Sequence, residues 1–115
     1  MITIYGIKNC DTVRKARKWL EAEGIEHHFH DFRADGLDRA TLEGWLKQVE
    51  RDVLINRRGT TWRKLDDAQK EISSDEDAIR LLLEHVAIIK RPVFDTGGQI
   101  LVGFRDEQKA ALSAP

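Results

Sequence analysis

The chain has 115 residues, a formal net charge of −1 and 41% hydrophobic residues, a length and composition that fit one domain with a core of its own. Its 19 basic and 20 acidic residues are interspersed, which leaves no electrostatic footprint for nucleic acid, and no apolar run approaches the roughly 20 residues of a membrane helix. A single cysteine excludes an internal disulfide and fits a reducing compartment, and the first residues lack a signal-peptide layout, so a cytoplasmic location is expected.

Met1-Ile2-Thr3-Ile4-Tyr5 reads as a short strand. Val13, Ala16 and Leu20 then recur at helical spacing, and Gly24 is a natural stop. Cys10 therefore falls at or just before the first turn of a helix, directly after a strand. The first backbone N–H groups of a helix have no intrahelical partner, and the helix dipole is positive there. Both effects favour a thiolate over a thiol, and the same N–H groups offer a seat for an incoming anion. A lone cysteine is often only a small buried hydrophobe. Here its neighbours Gly6, Lys8, Asn9, Asp11 and Thr12 are loop and cap residues, which points to a reactive Cys10.

Ile25 to Phe32 alternates in part, with Ile25, His27, Phe29 and Asp31 on one face and His28, His30 and Phe32 on the other. Read as a second strand, it completes a βαβ unit with parallel strands and a right-handed crossover. His28 and His30 share a face, but spacing marks no third ligand, and they read as solvated or strand-edge histidines with no metal site expected.

Asp35-Gly36 breaks the pattern, Asp38 reads as an N-cap, and Leu42, Trp45, Leu46 and Val49 form a helical stripe. A short apolar group, Val53-Leu54-Ile55, precedes Asn56-Arg57-Arg58-Gly59. Thr60 or Thr61 is expected to cap a short helix that turns Trp62 and Leu65 inward. Ser73 and Glu76 have the spacing of a capping box, opening a helix that should bury Ile79, Leu82, Leu83 and Val86. Residues 38–86 thus read as a run of helices without a clear strand.

Ile88-Ile89-Lys90-Arg91-Pro92 leads into a strand at Val93-Phe94-Asp95. Thr96-Gly97-Gly98-Gln99 is a tight turn, and Ile100-Leu101-Val102 returns antiparallel. Gly103-Phe104 ends the hairpin, and Arg105-Asp106-Glu107 opens a last helix carrying Ala111 and Leu112. The order β-α-β, helical block, β-β-α predicts an α/β fold: a four-stranded mixed sheet of thioredoxin type with a helical insertion over residues 38–86. In such a sheet the loop after the first strand meets the turn before the third, which sets Cys10 facing Arg91-Pro92.

Four pieces carry a resemblance: Lys8-Asn9-Cys10-Asp11-Thr12, Asn56-Arg57-Arg58-Gly59, Arg91-Pro92 and Gly103-Phe104-Arg105. In this order they resemble the ArsC/Spx family, and Gly6 to Ala16 together with Thr60 to Leu65 is similar to its YffB branch. The resemblance covers essentially the whole chain. It implies a thioredoxin-like fold with an inserted helical lobe and a nucleophilic Cys10. In arsenate reductases of this type the cysteine attacks arsenate, glutathione resolves the adduct, and glutaredoxin completes the cycle, with three arginines binding the oxyanion. Two of them match Arg91, before what the resemblance implies is a cis Pro92, and Arg105. Asn56 stands at the third position, and Arg57 follows one residue later, displaced by about 100° if the segment is helical. The Spx branch binds RNA polymerase and senses redox state, often through a Cys-x-x-Cys pair; Val13 occupies the second position here, which excludes an intramolecular switch.

The expectation is a glutathione-dependent thiol reductase with one nucleophile, Cys10, glutathione as co-substrate, no bound cofactor, and glutaredoxin as a partner. An arsenate reductase using the same site and a non-catalytic regulator that binds RNA polymerase are the alternatives. Arginine binds carboxylates bidentately, which makes Arg57, Arg91 and Arg105 candidates for holding glutathione, each otherwise a solvated surface residue. Lys8 would add positive charge near the thiol, Asn9 and Thr12 would orient the loop or cap the helix, and a cis Pro92 would present backbone to a bound thiol.

Overall fold

The structure is a computed structural model and describes residues 1–114. In chain order the elements are β1 (Ile2–Gly6), α1 (Asp11–Ala22), β2 (His27–Asp31), α2 (Arg39–Leu46), α3 (Arg51–Leu54), α4 (Thr60–Arg63), α5 (Asp67–Lys70), α6 (Asp75–Glu84), a 3-10 turn at Val86–Ile88, β3 (Val93–Asp95), β4 (Ile100–Val102) and α7 (Asp106–Ser113). They divide into two units: Met1–Gly36 with the residues from Arg91 onward, and Leu37–Lys90.

The first unit is a four-stranded mixed sheet in the order β2-β1-β3-β4. This is the thioredoxin-like α/β arrangement that the order of elements predicts. β1 pairs in parallel with β2, with Ile4 opposite Phe29, and antiparallel with β3, with Ile4 opposite Phe94. The β3–β4 hairpin sets Phe94 beside Leu101. Ile4 and Phe94 therefore share a face, and α1 and α7 bring Ala16, Leu20 and Leu112 to it, closing a buried cluster. Burying a side chain of this kind is worth roughly 1.5–3 kcal/mol, so this cluster holds α1 and α7 against β1 and β3. The second strand is shorter than the alternation suggests. The Ile25 N–H donates to the Leu20 carbonyl, so Ile25 closes the end of α1 and pairing starts at His27. Of the histidines, the His30 Nε2 is 2.6 Å from the Gly36 carbonyl and the His27 Nδ1 is 3.0 Å from the Ile25 carbonyl, while His28 is exposed.

The second unit is helical, with α2 set against α6. Asp38 caps α2 as expected, its side chain accepting the Thr41 N–H. The helix stops at Leu46, so Val49 lies past its end, with its N–H on the Trp45 carbonyl. Three details correct the sequence reading. The N-cap of α4 is Gly59 rather than either threonine, and Trp62 is only half-buried. A single-turn α5 is present, closed by a capping box between Asp66 and Gln69. Ser74, not Ser73, caps α6: its Oγ accepts the Asp77 N–H, while Ser73 donates through N–H and Oγ to the Asp77 carboxylate. The helix buries Ala78, Ile79, Leu81 and Leu82, while Leu83, and Val86 beyond its end, are half-buried. The Val53-Leu54-Ile55 group ends in a one-residue antiparallel bridge, Ile55 to Ile89, flanked by bonds from Asn56 to Ile88 and from Lys90 to Leu54. Among the described residues, no helix is long and apolar enough to cross a membrane.

Candidate functional site

The thiol is placed by a short run of backbone bonds. After β1 the Ile7 carbonyl accepts the Cys10 N–H at 3.1 Å, which turns the chain through exposed Lys8 and Asn9. Cys10 is the N-cap of α1, with φ −91 and ψ 124, and its carbonyl accepts the Arg14 N–H at 3.0 Å. Its side chain takes none of the free N–H groups of the first turn. Serine, threonine, aspartate or asparagine would normally fill this position and satisfy one of them. A half-buried thiol stands there instead, at the positive end of a helix of 12 residues. Asp11 pairs with Arg14 at 2.6 Å, but both side chains are exposed and such a pair contributes little.

The sheet brings further residues to the same end. β3 runs antiparallel to β1 with Val93 opposite Tyr5, so Pro92 and Arg91 adjoin the end of β1 from which the Cys10 loop departs. The Arg91–Pro92 peptide is cis, as the resemblance implies. Pro92 is buried and its carbonyl accepts the Gly103 N–H at 2.8 Å. Gly103 has φ +93, a conformation that side-chain-bearing residues rarely adopt, and it turns the chain out of β4 toward α7. Arg105 is the N-cap of α7 and is exposed. Gln108 fastens this corner: its Oε1 accepts the Arg105 N–H at 2.9 Å and its Nε2 donates to the Val102 carbonyl at 3.1 Å. Strand pairing thus gathers Cys10, Arg91, Pro92 and Arg105 at one end of the sheet.

The remaining candidates are placed differently. Asn9 precedes the N-cap and Thr12 lies within the first turn, so of the two roles expected of them, orienting the loop or capping the helix, neither fills the N-cap position. Lys8 is exposed, and its backbone N–H donates to the Asp31 carboxylate. Arg57 belongs to the helical unit, where its guanidinium is held by Asp52 at 2.9 Å and lies 5.1 Å from the centre of the Trp62 ring. Asn56 accepts the Arg58 N–H through its side chain.

One residue at this end was not singled out from the sequence. Asp31, the last residue of β2, is 8% exposed, and its carboxylate accepts the Lys8 N–H at 3.1 Å, the Arg33 N–H at 2.7 Å and the Ala34 N–H at 3.1 Å. Burial pushes this carboxyl up, but the three backbone donors and the Arg33 charge outweigh burial and hold it below its usual range. The available signal was an acidic residue on the apolar-leaning face of a strand, four residues before Asp35-Gly36.

Comparison with known proteins gives the family and the fold. The model of the ArsC family matches residues 5–112. An uncharacterised protein of Haemophilus influenzae is 47% identical over 114 residues, spanning 99% of this chain and all of its own. A solved structure of a protein designated YFFB superposes with a TM-score of 0.93 at 45% identity, covering 99% of this chain and 100% of that one. The solution structure of an arsenate reductase (ArsC) related protein from Brucella melitensis is 46% identical with a TM-score of 0.77, over 96% of this chain and 92% of that one. The match runs from the end of the first strand to the last helix, and the chain belongs to the ArsC family.

Proposed function

We propose that this protein is a glutathione-dependent thiol oxidoreductase in which Cys10 is the nucleophile. The observation that carries the reading is the thiol at the N-cap of α1, with no side chain of its own capping the helix, at the sheet end where Arg91-Pro92 and Arg105 emerge. The Cys10 thiolate attacks one sulfur of a disulfide, forms a mixed disulfide and expels the other sulfur as a thiolate. Val13 stands three residues on and is fully buried, so the chain supplies no resolving thiol of its own. A glutathione thiolate attacks the mixed disulfide and returns Cys10 as a thiolate. It leaves as a new disulfide, which a second glutathione or glutaredoxin reduces. Arg91 and Arg105 bind the glutathione carboxylates, and the Pro92 backbone lies along the bound thiol. Lys8, Asn9 and Thr12 line the approach to the sulfur. Arsenate is the next substrate to try at the same site.

The test is the rate of Cys10 alkylation against pH, with and without glutathione, followed by intact mass. Protection by glutathione and a mixed-disulfide mass support the reading. A pH profile like that of a free thiol, with no glutathione adduct, overturns it and leaves the regulator that binds RNA polymerase, for which the next measurement is binding to that enzyme.

A further inference from the structure

Two loops meet at the thiol end of the sheet, and one buried carboxylate joins them. Asp31 Oδ1 accepts the N–H groups of Arg33 and Ala34 in the loop after β2, and Oδ2 accepts the N–H of Lys8, two residues before the thiol. The backbone bond from Phe32 to the Gly6 carbonyl at 2.8 Å runs alongside, so the Lys8 bond is the last rung between the two chains. Lys8 and Asn9 form the corners of the turn closed by Ile7 and Cys10, and both are exposed. Apart from that turn, the bond to Asp31 is the tether that the loop has before α1 begins. The Asp31 carbonyl and N–H are in turn tied to Asp35, through the Asp35 N–H and carboxylate, so the acceptor itself is fixed. Asp31 is the buried charged residue of the described chain, and a buried carboxylate is retained only where several donors meet it.

We propose that Asp31 is a positioning residue for Cys10: by holding the Lys8 N–H it sets the turn that delivers the sulfur to the N-cap of α1. This rests on Cys10 being the reacting group, but it needs no particular substrate. The carboxylate does not touch the reacting atoms; it acts through Lys8 and the turn.

The sign of one effect separates positioning from charge. Removing a negative charge near a thiol favours the thiolate and speeds alkylation at neutral pH. Loosening the turn takes the sulfur away from the helix terminus and slows it. In Asp31→Asn the amide cannot accept on both sides, so an NH2 group must face one set of N–H donors. Positioning predicts that iodoacetamide alkylation of Cys10 in this variant falls by roughly tenfold at neutral pH, the factor equivalent to about 1.4 kcal/mol. The Lys8 amide should lose its protection from hydrogen exchange while the β1 amides keep theirs. Faster or unchanged alkylation overturns the proposal.

A second variant guards against failure to fold. Cys10 is the one cysteine of the chain, so a synthetic peptide of residues 1–9 can be ligated to residues 10–115 with Lys8 replaced by its α-hydroxy analogue. This deletes the Lys8 N–H, makes the Ile7 carbonyl that accepts the Cys10 N–H a weaker ester acceptor, and leaves Asp31 charged and bonded to Arg33 and Ala34. Slower alkylation in the ester supports the proposal, and an unchanged rate overturns it. Loss of glutathione capture in the parent protein would remove the proposed activity, yet leave these two rates to decide the role of Asp31.

Discussion

Gly6 and Val13 approach so closely that a Cβ built on Gly6 would lie 2.6 Å from Val13 Cγ2. Both residues are buried, and they flank the Cys10 loop on the strand side and the helix side. Gly6→Ala is therefore expected to destabilise the fold by about 2 kcal/mol, because a β-branched side chain in a helix cannot rotate away. Val13→Ala leaves a small cavity and also destabilises. The double variant should cost less than the two together by about 1 kcal/mol, since removing the γ-methyls makes room for the new Cβ. Chemical denaturation of the four proteins checks this; strictly additive losses would show that the contact is not what excludes a side chain at Gly6.

Cys10→Ser should abolish glutathione adduct formation and any reductase turnover. The same change should leave the fold intact and raise its stability by about 0.5–1 kcal/mol, since serine is a favoured N-cap and cysteine caps nothing here. The thermal midpoint and the adduct mass, measured on one sample, test both halves. Persistent turnover would remove Cys10 from the mechanism.

The arginines should divide by position. Arg91→Ala and Arg105→Ala are each expected to raise the glutathione concentration needed for half-protection of Cys10 by about tenfold, the scale of one charge-assisted contact. Arg57→Ala should change it by less than about twofold, because that guanidinium is engaged by Asp52 and the Trp62 ring. Protection curves for the three variants give the comparison, and equal effects in all three would place Arg57 at the thiol.

Asp31 carries a sign for acid stability. Its folded carboxyl titrates below the unfolded value, so the folded state binds this proton less readily than the unfolded chain. Its contribution is fully present above the unfolded value of about 3.9 and is lost as the pH falls through the lower folded value. The stability gap between the parent and Asp31→Asn should therefore hold from about pH 7 to about pH 5 and narrow toward about pH 2. Denaturant midpoints over that range measure it; a gap that widens in acid would show that burial, and not the three N–H donors, governs this group.

Much of the first unit was legible because its signals are periodic or positional. Val13, Ala16 and Leu20 announce α1, and the paired glycines announce the hairpin, so the order of strands and the place of Cys10 followed. The helical unit was less legible because α3, α4 and α5 are single turns of four residues, too short to show a helical period. At α6 the sequence offers two overlapping frames, Ser73 with Glu76 and Ser74 with Asp77, and the second forms because Asp77 serves both serines. Asp31 was hidden for a different reason. Its burial depends on donors from two loops, Lys8 on one side and Arg33 and Ala34 on the other, and no spacing in the sequence records that meeting. The tie between Arg57 and Asp52 was hidden likewise, since Asp52 sits on α3.

The hairpin between β3 and β4 has a practical consequence. Its turn is closed locally by Thr96 and Gln99 and by the Asp95 carboxylate on the Gly97 N–H. The strands put it at the end of the sheet away from Pro92 and Gly103. Gly98 is exposed, and a Cβ there would meet nothing within 4 Å. An unnatural residue at Gly98 bearing a dye or a surface linker would thus give the molecule a handle far from the sulfur. Adduct formation on single immobilised molecules could then be followed with the thiol end left open to solution.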